Sequence, residues 1–276
     1  MTASADDYAW FRDYRRGSLH EMYCMTLVRG VVPDEFLARV GADPQGEFTG
    51  FDAFVERDAE FQDSQDLYGD FMFVGATQVT GREGPWTLLV EINGLAGTDH
   101  ALMAPLSTGT RVVSHYRNVN ALTYISWWED GELRTRFERP FDRSGSTPDA
   151  LVELMARVGI SEESNPGSAE FLALAEELTG VRITAAVLDD AVYSTGVIEM
   201  PDEEWSEIVI DLRDASGERF RKVITREQVE RAQAERRRGA GSEDIRDLAT
   251  LHGIQVNERG RIPAVAVEQF EDRDGG

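Results

Sequence analysis

A single cysteine, Cys24, is the only thiol among the 276 residues, so the chain cannot form an internal disulfide. This favours an intracellular protein. Only four histidines are present, and no zinc motif, Walker, Rossmann or Gly-x-Ser-x-Gly fingerprint occurs. His20 and Cys24 are close in sequence, but the apolar run around Cys24 indicates a buried structural thiol instead of a nucleophile. We therefore expect a protein that is not an enzyme, with no catalytic residue, metal or cofactor.

Long apolar runs are also missing, since no stretch approaches the about 18 residues that a membrane-spanning helix needs. Residues 1–7 lack the basic start and apolar core of a signal peptide. We expect a cytoplasmic protein without a membrane partner. With 13 Phe, 7 Tyr and 5 Trp, the chain has enough large apolar side chains to build a folded core.

The charge is strongly acidic but unevenly distributed. The chain carries 51 acidic and 28 basic residues, a net charge of −23. Residues 217–276 contain 12 of each, so the whole excess of acid lies in residues 1–216. A charge asymmetry of this kind is typical of a chain with a nucleic-acid-binding tail.

The pattern of the acidic part predicts an α+β fold, a strand meander with flanking helices. The strands are expected at residues 21–28, 71–77, 86–91, 110–116, 122–129 and 132–138, and the helices at 36–40, 148–158 and 168–178. Asp130-Gly131 predicts a tight hairpin turn. We assign residues 1–200 to this acidic α+β domain.

Residues 201–240 are expected to form a β-hairpin followed by a basic linker helix. Alternating apolar residues at 205–212 and 219–224 flank Ala215-Ser216-Gly217, a hairpin pattern. The helix that follows ends in Arg236, Arg237 and Arg238. These arginines are either a solvated linker or a set of phosphate contacts, and the sequence leaves both readings open.

Residues 241–276 predict two short helices with an Arg-Gly-Arg loop between them. Ser242 suits an N-cap, Gly253 a helix stop, and Pro263 the first turn of the second helix. Gly260, lacking a Cβ, allows close backbone approach, so that Arg259 and Arg261 can splay along a narrow, negative channel. The minor groove of A·T-rich DNA is such a channel.

Residues 245–264 resemble the C-terminal DNA-binding domain of the actinobacterial H-NS-like nucleoid proteins, the Lsr family. That family's run Ile-Arg-x-x-Ala-x-x-x-Gly-x-x-Val-x-x-Arg-Gly-Arg-Ile-Pro-Ala matches this chain position by position. The resemblance covers about residues 240–271. It implies that Arg259 and Arg261 enter the minor groove with Gly260 at its floor.

The acidic part, about residues 8–195, resembles a family of uncharacterised actinobacterial domains. Three segments carry this resemblance: 21–30, 85–94 and 109–121. It implies an architecture but no chemistry.

These patterns predict a DNA-binding, nucleoid-associated or regulatory protein. Double-stranded A·T-rich DNA is the expected partner, read by Arg259, Gly260 and Arg261. The expected supporting contacts come from Arg236, Arg237, Arg238 and Arg246. A homo-oligomer and a protein partner for the acidic body remain open. The alternative is an interaction or immunity-like protein, whose acidic body binds a protein and whose tail is a docking module.

Overall fold

The computed structural model describes residues 2–64, 71–201, 207–213 and 219–225, the last two ranges as backbone only. The chain divides into two units, Met1–Pro201 and Asp202–Gly276. No helix in the described ranges is long and apolar enough to cross a membrane.

The described part of the first unit is built on one eight-stranded antiparallel sheet. Its strands are β1 (Tyr23–Arg29), β2 (Asp43–Thr49), β3 (Phe71–Gly81), β4 (Gly84–Ile92), β5 (Arg111–Arg117), β6 (Thr123–Glu129), β7 (Glu132–Phe137) and β8 (Val192–Glu199). Their order across the sheet is β2-β8-β3-β4-β1-β5-β6-β7. Strand β1 lies between β4 and β5, pairing Thr26 with Leu89 on one side and Ser114 on the other.

Helices cover both faces of this sheet. They are α1 (Ser18–Glu21), α2 (Pro33–Arg39), α3 (Phe51–Ser64), α4 (His100–Leu106), α5 (Val152–Arg157), α6 (Ser168–Thr179) and α7 (Ala185–Asp189), with 3₁₀ turns at Ala5–Arg12, Tyr14–Gly17 and Ala96–Thr98.

The core consists of two apolar clusters separated by the sheet. The larger cluster joins Tyr23, Met25 and Leu27 to residues of α3, α5, α6 and the Ala5–Arg12 turn, and the smaller joins Val28 to α2 and α4. Successive residues of β1 point to opposite faces, as the pleat requires. Because both faces are covered, β1 is buried on both and shows no alternation of buried and exposed residues.

The expected strand meander with flanking helices is wrong. Helices α2, α3 and α4 interrupt the strand series, and β8 returns to pair with β2 and β3. The physical reason lies in burial. A strand that is mostly apolar and has few charged side chains on either face, such as β1, is stable only inside a sheet covered on both sides. It therefore takes a central place between β4 and β5, away from the start of a meander.

Two strands lie within residues 201–240, where the sequence predicts a β-hairpin and a linker helix. Strands β9 (Glu207–Arg213) and β10 (Arg219–Thr225) pair antiparallel, with Ile208 opposite Ile224. The predicted linker helix and the two tail helices lie outside the described residues.

Asp58 is a charged residue placed in the core. Its side chain lies on α3 and is only 5% exposed, and Oδ1 has no hydrogen-bond partner within the described residues. Burial raises the pKa of Asp58 to about 7, against a smaller opposite effect of Gln62. A carboxyl that holds its proton more tightly when folded adds stability at low pH and loses it as pH rises through the folded pKa.

Replacing Asp58 with asparagine should therefore stabilise the protein at mildly alkaline pH and do little in acid. We expect a gain of about 1–3 kcal/mol in the free energy of unfolding near pH 8, shrinking toward zero near pH 4. Urea unfolding at both pH values measures it. Asp63→Asn, at the exposed end of the same helix, is the matched control. An equal effect of Asp58→Asn at the two pH values would refute the explanation.

Candidate functional site

A buried carboxylate, Glu91, binds backbone N–H groups of the loop that follows β4. Its Oε2 accepts a hydrogen bond from the Ala96 N–H at 2.8 Å, and its Oε1 accepts one from the Gly97 N–H at 2.9 Å. Burial raises the pKa of Glu91 to about 7, and the two N–H donors act in the opposite direction. Glu91 thus fixes the path of the loop over the sheet.

Three small polar side chains lie under this loop, on neighbouring strands. Ser114 Oγ lies 3.3 Å from Cys24 Sγ and 3.2 Å from Thr26 Oγ1. Register brings them together, because Cys24 is opposite Glu91 and Thr26 is opposite Ser114. Gly97 packs directly on them, and a Cβ there would lie 2.0 Å from Thr26 Oγ1.

Cys24 is buried, as its sequence context predicts. Burial, and next the Glu91 carboxylate, raise the pKa of its thiol well above the ordinary value. The thiol therefore keeps its proton at neutral pH and is a poor nucleophile. His20 packs instead against Phe11, with the ring centroids 6.0 Å apart. Cys24, Thr26 and Ser114 pack under the loop and Glu91 binds its backbone, and we call these four residues the loop clamp.

On the opposite face of the sheet, His115 links two hydroxyl groups. Its Nδ1 lies 3.1 Å from the Tyr23 hydroxyl and its Nε2 lies 3.0 Å from Thr123 Oγ1. Because Thr123 donates its own proton to the Tyr116 carbonyl, it accepts from Nε2–H, and Nδ1 accepts from Tyr23. Burial, and next Arg117, lower the pKa of His115 to about 3, so the ring is neutral.

Beside Tyr23, whose ring packs against Phe11 of the lining, a cavity of about 390 Å³ opens between the Ala5–Arg12 turn and the beginning of α6. Its polar lining includes Arg12, His20, Arg117 and Ser168, together with the carboxylates of Asp6 and Glu170. Its apolar lining includes Phe11 and Tyr8. A volume of this order suits a small ligand.

Two further clefts lie next to α2. One of about 330 Å³ is lined by Asp34, Glu47 and Thr77, and one of about 380 Å³ by Leu37 and Pro44 among others. Their charged lining residues are acidic. In the part of the chain that the structure describes, no group of three or more His, Cys, Asp or Glu side chains could hold a metal ion.

The residues expected to contact DNA lie outside the described residues. They are Arg236, Arg237, Arg238, Arg246, Arg259, Gly260 and Arg261. The structure brings together other residues that the sequence analysis did not single out, above all Arg12, Arg117 and Ser168. They are separated in sequence and converge only through the packing of the Ala5–Arg12 turn and α6 against β5.

The first unit is thus an antiparallel sheet covered by helices on both faces, with a buried loop clamp and a cavity containing two arginines. A family model described as a family of unknown function, DUF6461, matches residues 1–203. The chain belongs to this family. No curated protein and no solved structure matches the chain.

Proposed function

We propose that this protein binds A·T-rich double-stranded DNA through residues 241–276, as a nucleoid-associated or regulatory protein. The observation that carries the proposal is the sequence of residues 245–264, which matches the Arg-Gly-Arg pattern of H-NS-like proteins position by position. Arg259 and Arg261 enter the minor groove, where a narrow width and a negative potential attract arginine. Gly260 allows the backbone to approach the floor of the groove.

The remaining arginines position residues 241–276 on the duplex. Phosphate contacts fix the register of this segment on the DNA but carry no base information, and we assign them to Arg236, Arg237, Arg238 and Arg246. Specificity then comes from groove width, which is indirect readout.

The distribution of charge supports placing DNA contacts in the tail. Residues 1–216 carry the whole net charge of −23. A surface of that sign repels phosphate over about the Debye length, near 8 Å at physiological salt. The acidic body therefore has another role, such as sensing or recruiting a partner, and the proposal assigns it no catalytic step.

Fluorescence anisotropy of the full chain with matched duplexes tests the proposal. We expect tighter binding to an A·T-rich duplex than to a G·C-rich duplex of the same length at the same salt concentration, since salt alone changes affinity steeply. Equal affinities for the two duplexes would rule out groove-width reading.

A further inference from the structure

We propose that the cavity beside Tyr23 is a binding site for a small organic anion, with a phosphate or carboxylate head and an apolar remainder. This inference goes beyond the proposed function and does not rest on it, because it concerns only the first unit. Four observations carry it: two arginines without acidic partners, a buried hydroxyl, the beginning of α6, and an apolar wall.

The first observation is the pairing state of Arg12 and Arg117. Both line the cavity, and neither forms an ion pair within the described residues. Arg117 Nε is buried there without a hydrogen-bond partner. A buried guanidinium N–H without a partner is free to donate to an acceptor on a ligand.

His20 reports the sign of the local field. Desolvation, followed by the positive charges of Arg117 and Arg12, lowers the pKa of its imidazole below the ordinary value. Glu21 and Asp13 act in the opposite direction with smaller effects. At His20 the effects of the two arginines thus exceed those of Glu21 and Asp13, which agrees with the anionic ligand that the unpaired arginines favour.

Ser168 supplies the second observation. Its side chain is 5% exposed and lines the cavity. Burial raises the pKa of Tyr23, and a hydrogen bond from the Ser168 hydroxyl to the Tyr23 oxygen opposes this. A hydroxyl hydrogen rotates to suit its surroundings, so Ser168 can donate to a ligand oxygen in the cavity instead.

The beginning of α6 adds a third feature. The helix has 12 residues, and the N–H groups of its first turn lack partners within the helix. One neighbouring donor is already satisfied, because the Gly167 N–H donates to Glu170 Oε2 at 3.0 Å. Glu170 is thus held as a cap, and Asp6, the other acidic residue of the lining, is exposed. The anion would lie toward Ser168, Arg12 and Arg117.

The rest of the lining determines what the anion carries. Phe11, Tyr8 and the methyl groups of Ala5, Ala9 and Ala169 also line the cavity. The Tyr8 hydroxyl is already used, donating to Glu176 at 2.8 Å. A bare phosphate would leave most of the about 390 Å³ empty. The cavity therefore suits an anion with an apolar group of the size of one ring.

Titration calorimetry on the full chain tests the site with four probes: inorganic phosphate, phenyl phosphate, benzoate and uncharged phenol. We expect phenyl phosphate and benzoate to bind, inorganic phosphate to bind more weakly than phenyl phosphate, and phenol not to bind. Failure of both phenyl phosphate and benzoate to bind at millimolar concentration would overturn the proposal. No DNA is present, so the outcome is independent of the proposed function.

Matched variants locate the site. Arg117→Gln and Ser168→Ala should each weaken phenyl phosphate binding, Arg117→Gln by about tenfold or more, as expected for a charge-assisted hydrogen bond. Arg139→Gln, an exposed arginine outside the cavity, should bind as the parent does. Arg12→Gln provides a second test on an exposed side chain, should Arg117→Gln fold poorly. Unchanged affinity in Arg12→Gln and in any folded Arg117→Gln protein would contradict the assignment.

The imidazole of His20 provides a second, independent test of where the anion binds. A bound anion close to His20 should raise the pKa of the imidazole, and its NMR signals should shift on addition of phenyl phosphate. Binding in calorimetry without any change at His20 would place the ligand elsewhere and overturn the proposal.

Discussion

Replacing both Arg259 and Arg261 with alanine should abolish the preference for A·T-rich DNA. A good groove contact contributes about 1–3 kcal/mol, so losing two of them should weaken binding to the A·T-rich duplex by well over tenfold. Binding to a G·C-rich duplex should change much less, because the wider groove holds these arginines poorly. Anisotropy titrations of the two duplexes, at one fixed salt concentration, measure both changes.

Arg237→Ala is the control, because it removes a positive charge from the proposed phosphate contacts. It should weaken binding to the A·T-rich and the G·C-rich duplex by the same factor and lower the salt dependence by about one unit. If Arg237→Ala abolished the A·T preference while the double variant kept it, the roles assigned to these arginines would be reversed.

Gly97→Ala should lower the free energy of unfolding by about 3 kcal/mol, at the upper end of what overpacking costs and the largest effect we expect within the first unit. A Cβ at this position would lie 2.0 Å from Thr26 Oγ1 and 2.7 Å from Cys24 Sγ. Both neighbours lie on the central strand β1, which is held by β4 and β5, so they cannot move away. Overpacking of this kind typically costs about 1–3 kcal/mol and occasionally more. To relieve the clash, the loop must move away from β1, and this movement should also break the hydrogen bond from the Gly97 N–H to Glu91.

Urea unfolding compares this variant with Gly167→Ala, where a Cβ would meet only Glu170 Oε2, at 3.4 Å. That control should unfold near the parent midpoint. Adding Thr26→Ala to Gly97→Ala removes the closest atom and should recover part of the loss, a coupling typical of residues in contact. A Gly97→Ala midpoint equal to that of Gly167→Ala would show that the loop does not lie on β1 as described.

Local signals predicted several elements correctly. Asp130-Gly131 predicted the turn between β6 and β7, and both residues have positive φ, 53° and 83°. The helix expected at residues 168–178 is α6, and Gly180 ends it with a φ of 73°, the left-handed conformation that glycine adopts readily. These features depend on neighbouring residues only, and the sequence shows them directly.

Strand β2 and helix α3 could not be predicted from the sequence pattern, for physical reasons. Strand β2 is polar, contains Pro44 and Gly46, and its register with β8 shifts between them. Helix α3 has only Phe51, Phe54 and Asp58 buried, a stripe interrupted by a carboxylate. The strand order depends on which faces are buried in the finished molecule, which spacing along the chain does not record.

The same contrast holds for the sites. The burial of Cys24 was predictable, because the run around it is apolar. The partners of Glu91 are backbone N–H groups of a loop, and because every residue except proline has such a group, the residue types there do not predict the contact. The cavity joins Arg12, Arg117 and Ser168 from three separate segments, so only the folded chain brings them together. The proposed DNA contacts rest on sequence alone.

One measurement tests the proposed reading of the minor groove most directly: the affinity of the full chain for a duplex of inosine–cytosine pairs. Inosine lacks the 2-amino group of guanine, so such a duplex resembles A·T in the minor groove and G·C in the major groove. If Arg259 and Arg261 read the minor groove, the I·C duplex should bind nearly as tightly as the A·T-rich duplex and more tightly than the G·C-rich one. An I·C duplex that binds as weakly as G·C would contradict the account.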